Sequence, residues 1–183
     1  MNLTELKKVV KAYYPSGIDL DDEQLLLKTE EFKKLSNICS TFNKSNWNEF
    51  LGEIKANSNL KIWDYSLLFQ NNPSLIASIT SDEKQQCNLI LKISVIAPIY
   101  TLYYDNIAQN QNKRFVRVNP VSESEIASFT LIENLLLKCF KSYSKLSFSD
   151  GFNVLPQMGN VKNNGRKPYL DECVFGPYLS IHP

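Results

Sequence analysis

Histidine is almost absent from this chain of 183 residues, and its single copy, His182, is the penultimate residue. Histidine has the side chain best suited to acid–base chemistry near neutral pH and is the commonest metal ligand. Sites that need paired histidines are therefore excluded. The four cysteines form no Cys-x-x-Cys pair and lack the spacing of a zinc site: Cys39, Cys87, Cys139 and Cys173. We expect no metal and no cofactor.

Arginine is also scarce, with Arg114, Arg117 and Arg166 as the only copies, and the net charge is +1. Binding to phosphates requires clustered basic residues, so we expect no direct contact with nucleic acid. The longest apolar run, residues 89–104, is interrupted by a lysine and a proline and is too short for a membrane helix. With no secretory signal at the start, the chain is expected to be cytoplasmic, with its cysteines buried as small hydrophobic residues.

Amphipathic helices are predicted in residues 1–57. Apolar residues recur at helical spacing over residues 3–10, and Pro15 and Gly17 end this first helix. Asp21 or Asp22 can cap a second helix, and a third helix covers residues 47–56. The second helix should bury one continuous apolar stripe: Leu25, Leu26, Phe32, Leu35, Ile38, Cys39 and Phe42.

Residues 61–118 contain short apolar runs separated by turn residues, which is typical of β-strands. Short connections favour antiparallel neighbours, so we predict a β-meander of four to five strands. Pro98 cannot donate a backbone hydrogen bond and is expected to mark a bulge or break. The predicted strands cover residues 62–69, 75–80, 88–97, 99–104 and 114–118.

Ser122 and Glu125 have the spacing of a capping box, which predicts a helix start at this point. An apolar stripe at steps of three and four follows: Ile126, Phe129, Ile132, Leu136, Phe140 and Tyr143. The sequence therefore predicts a single α+β domain over residues 1–183. Its parts are a helical layer (1–57), an antiparallel sheet (61–118), a long core helix packed on the sheet (122–146) and an irregular tail (150–183).

Two groups of residues are candidates for binding a partner. The first is the densest acidic cluster, which either caps a helix or forms an acidic contact patch: Asp19, Asp21, Asp22 and Glu23. The second ends the most apolar pair of strands and either packs in the core or lies at an interface: Tyr103, Tyr104 and Asp105. Cys173 and His182 could in principle act as nucleophile and base, but no third residue is tied to them, so we expect no enzymatic activity.

Three short stretches carry a resemblance to a known class of proteins: residues 13–18 (YYPSGI), 94–104 and 175–178 (FGPY). With the size, layout and Asn/Lys/Ile-rich composition of the chain, they resemble small bacterial proteins encoded beside polymorphic or type VI secreted toxins. The chain is similar to an immunity protein of that class. The resemblance implies tight binding of a cognate protein toxin, which could be a nuclease, without chemistry of its own.

Two other functions stay open at this point. A small ligand-binding domain or enzyme would need a pocket between the sheet and the long helix. A structural subunit would associate with copies of itself, as a homo-oligomer, through an exposed strand edge. A membrane partner is not expected.

Overall fold

The computed structural model describes residues 1–20, 22–66, 72–80, 87–108, 113–161 and 165–176. The helices within these residues are α1 (Leu3–Tyr13), α2 (Glu23–Leu26), α3 (Glu30–Thr41), α4 (Ser45–Asn57), α5 (Glu123–Cys139), α6 (Phe148–Gly151) and α7 (Leu170–Phe175). The strands are β1 (Lys61–Asp64), β2 (Ser74–Thr80), β3 (Cys87–Ser94), β4 (Ile99–Ala108), β5 (Lys113–Arg117) and β6 (Ser144–Lys145). The predicted α+β class is confirmed.

Local capping sets the boundaries of the N-terminal helices. Asn2 and Glu5 form a capping box at the start of α1. The second predicted helix is instead two helices, because the Thr29 hydroxyl accepts a hydrogen bond from the Phe32 amide and starts α3 at Glu30. The residues between α2 and α3 form turns, so the prediction of one continuous apolar stripe from Leu25 onward was wrong.

The strands β1 to β5 are neighbours in chain order and all pair antiparallel, which confirms the predicted meander. The break expected at Pro98 is also found, because β3 ends at Ser94 and β4 begins at Ile99. A sixth strand was not predicted. The two residues of β6 pair parallel with β4, with Ser144 opposite Ile99.

Side chains alternate between the two faces of a sheet, so the register assigns each residue to a face. One face, here called the apolar face, carries only hydrophobic residues in β2, β3 and the start of β4: Leu75, Ala77, Ile79, Leu89, Leu91, Ile93, Tyr100, Leu102 and Tyr104. The other, here called the mixed face, combines apolar and polar residues: Ile76, Ser78, Ile90, Lys92, Thr101 and Tyr103. The residues of both faces named here are buried, apart from the half-buried Thr101.

Helices α4 and α5 lie over the apolar face. The ring of Tyr104 stacks on Phe129 of α5 with centroids 6.2 Å apart, and the Tyr100 hydroxyl donates to Glu133 at 2.9 Å. Trp47 of α4 is 1% exposed and donates its indole N–H to Asp64 in β1 at 3.1 Å. Glu53 and Lys138 form an ion pair between the two helices. The predicted packing of the long helix on the sheet is thus present.

The start of α5 follows the sequence prediction only in part. The Ser122 hydroxyl accepts a hydrogen bond from the Glu125 amide at 3.3 Å, as expected. The Glu125 carboxylate was expected to reach back to the Ser122 amide. It accepts from the Val121 amide at 2.7 Å and from both terminal nitrogens of Arg117, while the Ser122 amide makes a smaller contribution to lowering its pKa. The paired guanidinium lowers the pKa of Glu125.

Helix α5 ends at Cys139, seven residues before the predicted boundary at residue 146. The chain then turns to pair beside the start of β4: the Ser144 amide donates to the Pro98 carbonyl, and the Leu146 amide donates to the Tyr100 carbonyl. These backbone bonds to the sheet replace further helical turns. The helical stripe therefore stops at Phe140, although Tyr143 still packs its ring against Phe140.

Much of the predicted irregular tail, residues 150–183, belongs to the core. Helix α7 covers part of it, and several of its residues are fully buried: Leu155, Met158, Leu170, Cys173, Val174 and Phe175. A bidentate ion pair between Arg166 and Glu172, with both distances 2.8 Å, fastens the loop before α7 to that helix. Residues 177–183 lie outside the described part of the chain, as do residues 67–69, the end of the first predicted strand.

Candidate protein-binding surface

The acidic cluster lies in a segment that joins α1 to α3. Residues 19–31, here called the acidic segment, contain six carboxylate residues and one lysine, so their net charge is −5 in a chain of net charge +1. Asp19 is exposed, and Asp22 is half-buried. Glu23 begins α2, while Asp21 lies outside the described residues. The segment is therefore a concentration of negative charge, and the rest of the chain has a net charge of +6.

The acidic segment is fastened to the loop after α6. The Asp19 carboxylate accepts a hydrogen bond from the Asn160 amide at 2.6 Å, and the Leu20 amide donates to the Asn160 carbonyl at 3.1 Å. The backbones of the two segments approach so closely at Gly159 that an added Cβ would lie 1.8 Å from the Ile18 carbonyl oxygen. Only glycine fits at this position. The segment is consequently held from a region 140 residues away in the sequence.

Asp22 has the capping role that was one of the two interpretations of the acidic cluster. Its carboxylate accepts a hydrogen bond from the Leu25 amide at 3.1 Å, and its carbonyl accepts from the Leu26 amide at 2.9 Å. The Asp22 amide donates to the Asp19 carbonyl. Capping and exposure of a carboxylate do not exclude each other, so a contact role for Asp19 and Asp22 stays a prediction.

Two exposed leucines lie within the acidic segment. Leu25 and Leu27 are each 48% exposed, whereas Leu26 between them is 3% exposed and anchors the turn in the protein. The sequence prediction placed Leu25 on a buried stripe, because it treated residues 22–42 as one helix. The signal that could have corrected this is Thr29, an N-cap residue followed at once by two glutamates, which is typical of a helix start.

The second predicted group of binding residues is buried. Tyr103 is 2% exposed, Tyr104 is 4% exposed and Asp105 is 8% exposed. The Tyr104 hydroxyl donates to the Glu125 carbonyl at 3.0 Å, and Arg117 lies over its ring at 4.6 Å. Burial, followed by the nearby Glu125 carboxylate, raises the pKa of Tyr104 to about 12. Side chains with so little accessible area offer almost nothing for a partner to contact, so the packing interpretation applies to these three residues.

The recesses beside α5 are small compared with ligand pockets. One recess between the sheet and α5, lined by Cys87, Tyr104 and Glu125 among others, has a volume of about 20 Å³, which is room for about one water molecule. A shallow groove of about 200 Å³ runs between the connection from α4 to β1 and α5. Its described lining residues are uncharged: Ser58, Asn59, Leu60, Ala127, Ser128 and Leu131. Small-molecule sites typically measure about 300–1,000 Å³.

A buried lysine and a half-buried aspartate lie at the mixed face. Lys92, in the central strand β3, is 1% exposed, and it lines a recess of about 20 Å³ together with Asp171 of α7. Burial raises the pKa of Asp171 to about 6, against the opposing effect of Lys92. Among the described residues no group donates a hydrogen bond to Asp171 Oδ1.

The described residues form neither a metal-binding site nor a site with a reactive cysteine. They contain no group of three or more His, Cys, Asp or Glu side chains placed to hold a metal ion. Cys173 is fully buried, which raises the pKa of its thiol, while His182 lies outside the described residues. Burial also raises the pKa of Cys39 to about 11. In the part of the chain that is described, no helix is long and apolar enough to cross a membrane.

Comparison with protein-family models found no match, and comparisons with curated proteins and with solved structures likewise found none. The resemblance to immunity proteins therefore rests on the sequence features alone and stays a prediction.

Proposed function

We propose that this protein is a non-catalytic protein-binding module of the immunity type, which neutralises a secreted bacterial protein toxin by binding to it. The observation that carries the proposal is the pair of exposed leucines, Leu25 and Leu27, within a segment of net charge −5. Apolar side chains at the centre of a charged surface are typical of protein interfaces, where the apolar part provides affinity and the surrounding charge guides the encounter.

The expected partner surface is basic with an apolar recess. A toxin that acts on nucleic acid needs a basic surface for its substrate, and the acidic segment is complementary to such a surface. Asp19 is held by the Asn160 amide, and Leu26 is buried, so these described residues of the segment are in place before binding. An ordered segment loses less conformational entropy on association than a disordered one, which favours tight binding.

The test uses the product of the gene next to this one, co-expressed with the protein and then purified for binding measurements. Replacing Leu25→Ser together with Leu27→Ser should raise the dissociation constant about tenfold or more, because truncating central apolar contacts has effects of this size. The matched control is Val154→Ser, which removes an equally exposed apolar side chain (48%) far along the chain. The control should bind and protect like the wild type.

A second pair of substitutions tests the contribution of the negative charge of the acidic segment. Asp21→Lys with Asp22→Lys should slow association and weaken its dependence on salt, with circular dichroism confirming that the helices persist. If the wild type neither binds the neighbouring gene product nor protects cells from it, the immunity function is wrong. If the wild type protects and both double variants bind as tightly and as fast as it does, only the proposed surface is wrong.

A further inference from the structure

Strand β1 forms one edge of the sheet. Among the described strands it borders β2 alone, and three of its four residues are exposed: Lys61, Trp63 and Asp64. An edge strand presents backbone N–H and C=O groups that can pair with a further strand. A partner that pairs with this edge must therefore present an extended strand of its own.

The pairing with β2 shows which backbone groups point outward. The Tyr65 amide donates to the Ile76 carbonyl, so the odd-numbered residues of this strand bond to β2. Because bonding directions alternate along an antiparallel strand, the N–H and C=O groups of Ile62 and Asp64 point away from the sheet. Two donors and two acceptors thus line the outer edge of β1.

Trp63 lies between these two residues and is 44% exposed. The chain has two tryptophans, and the other, Trp47, is 1% exposed in the core. Exposed tryptophan is rare on the free surface of a protein and is enriched at the centres of protein interfaces. The exposed aromatic ring and the outward backbone groups occur within the same three residues.

We propose that a second copy of this chain pairs its β1 antiparallel with β1 about a two-fold axis, so that Trp63 lies opposite Trp63 of the second copy. In this register Ile62 of each copy faces Asp64 of the other, and all four outward groups of each strand form hydrogen bonds. The two tryptophans occupy a non-hydrogen-bonded pair, in which opposite side chains are closest. Aromatic pairs at such positions stabilise antiparallel strands.

Neighbouring registers are less favourable. A shift that places Ile62 opposite Ile62 of the second copy also requires the Leu60 amide, which already donates to the Ser58 hydroxyl at 3.3 Å. The opposite shift places Asp64 opposite Asp64 of the second copy, and like charges in that position are destabilising. The proposed register avoids both problems, because it uses no bond from Leu60 and sets each Asp64 opposite Ile62 of the second copy.

The four-residue strand is short, so the interface falls in the class of weak, transient contacts. Sedimentation and light scattering between about 5 and 500 μM should therefore show a concentration-dependent shift from 21.0 kDa toward twice that mass. Hydrogen exchange measured at both ends of this range should show additional protection of the Ile62 and Asp64 amides at high concentration.

Two variants and their controls test the geometry. Ile62→Pro removes one outward donor and should weaken dimerisation about tenfold or more, whereas Ile62→Ala shortens the same side chain and keeps the donor. Trp63→Lys places like charges opposite each other, while Val121→Lys adds the same charge at a remote residue that is 74% exposed. A wild type that keeps the monomer mass at all concentrations overturns the proposal, as does a dimer that Ile62→Pro and Trp63→Lys leave intact. Neither measurement involves the toxin, so its outcome is independent of the proposed function.

Discussion

The two faces of the sheet are buried by different means. The apolar face is covered by helices whose hydrophobic stripes are visible in the sequence, and its contacts are mainly aromatic and aliphatic. The mixed face buries Lys92 in the central strand, and part of its cover comes from α7 and the residues around it, which carry Asp171. The apolar face is thus stabilised by the burial of hydrophobic surface. The mixed face also contains charged groups, which are costly to bury.

This difference shows where the stability of the protein should depend on pH. Hydrophobic burial is insensitive to protonation, so the layer formed by α4 and α5 should respond to changes of side-chain volume. Burial raises the pKa of Asp171 to about 6. Because this pKa differs from that of the unfolded chain, the free energy of unfolding should depend on pH on the mixed side. Three substitutions can test the contrast.

The largest effect is expected on the apolar side. Leu136 of α5 is 0% exposed, so Leu136→Ala should lower the free energy of unfolding by about 2–5 kcal/mol through lost burial and a residual cavity. The neighbouring Leu137 is 39% exposed, and Leu137→Ala serves as the matched control with an effect of about 0.5 kcal/mol. Urea unfolding at constant pH measures both. Equal effects would show that α5 does not pack as described.

The second prediction concerns Asp171, which faces Lys92 of β3 with Arg166 and Glu172 nearby. Its pKa is raised in the folded protein relative to about 3.9 in the unfolded chain, so the folded state binds the proton more tightly. The resulting stabilisation is complete below about pH 4 and is lost as the pH rises to about 6. The loss should amount to about 3 kcal/mol, from a shift of about two pKa units.

Asp171→Asn removes this titration. The stability of the wild type relative to the Asn variant should therefore fall between pH 4 and pH 6.5, as measured by urea unfolding across that range. Taking the difference between the two proteins cancels other groups, including Glu125, whose lowered pKa has the opposite effect on stability. A difference that is constant with pH would show that folding does not raise the pKa of Asp171.

The smallest effect is expected at the N-cap of α5. Ser122→Ala removes the hydroxyl that accepts the Glu125 amide and should cost about 1 kcal/mol. Thr130→Ala, at an exposed position two turns further along the same helix, is the control, because Thr130 caps no amide among the described hydrogen bonds and is remote from Ser122. If the two substitutions have the same effect on the thermal unfolding midpoint, the cap contributes nothing beyond general helix propensity.

The sequence predicted most of the elements on the apolar side. Alternation and turn residues located β2 and β3, and the serine at position 122 located the start of α5. The end of α5 was predicted too late, since residues 144 and 145 pair with β4, a contact between segments about 45 residues apart. Periodicity describes neighbours along the chain, so it cannot show that a helix stops in order to join a distant strand.

The candidate surface was predicted less completely than the fold. The acidic cluster was recognised from its composition, but the exposure of Leu25 and Leu27 depends on a helix break at Thr29 and on the anchoring of Leu26. Tyr103 and Tyr104 were candidates for an interface because aromatic residues suit both cores and surfaces. Their burial depends on which elements cover the two faces, and a strand pattern alone does not contain that information.

Sequence alone determined the class of the fold, the strand order of the meander and the capped start of the core helix, because these follow from interactions within a few residues and from short connections. Tertiary structure decided that residues within 148–161 and 165–176 complete the core, that the buried Lys92 and the half-buried Asp171 line one recess, and that Gly159 allows the close approach of the acidic segment. Each of these depends on contacts between residues far apart in the chain, where the free energy comes from packing and desolvation that no local pattern records.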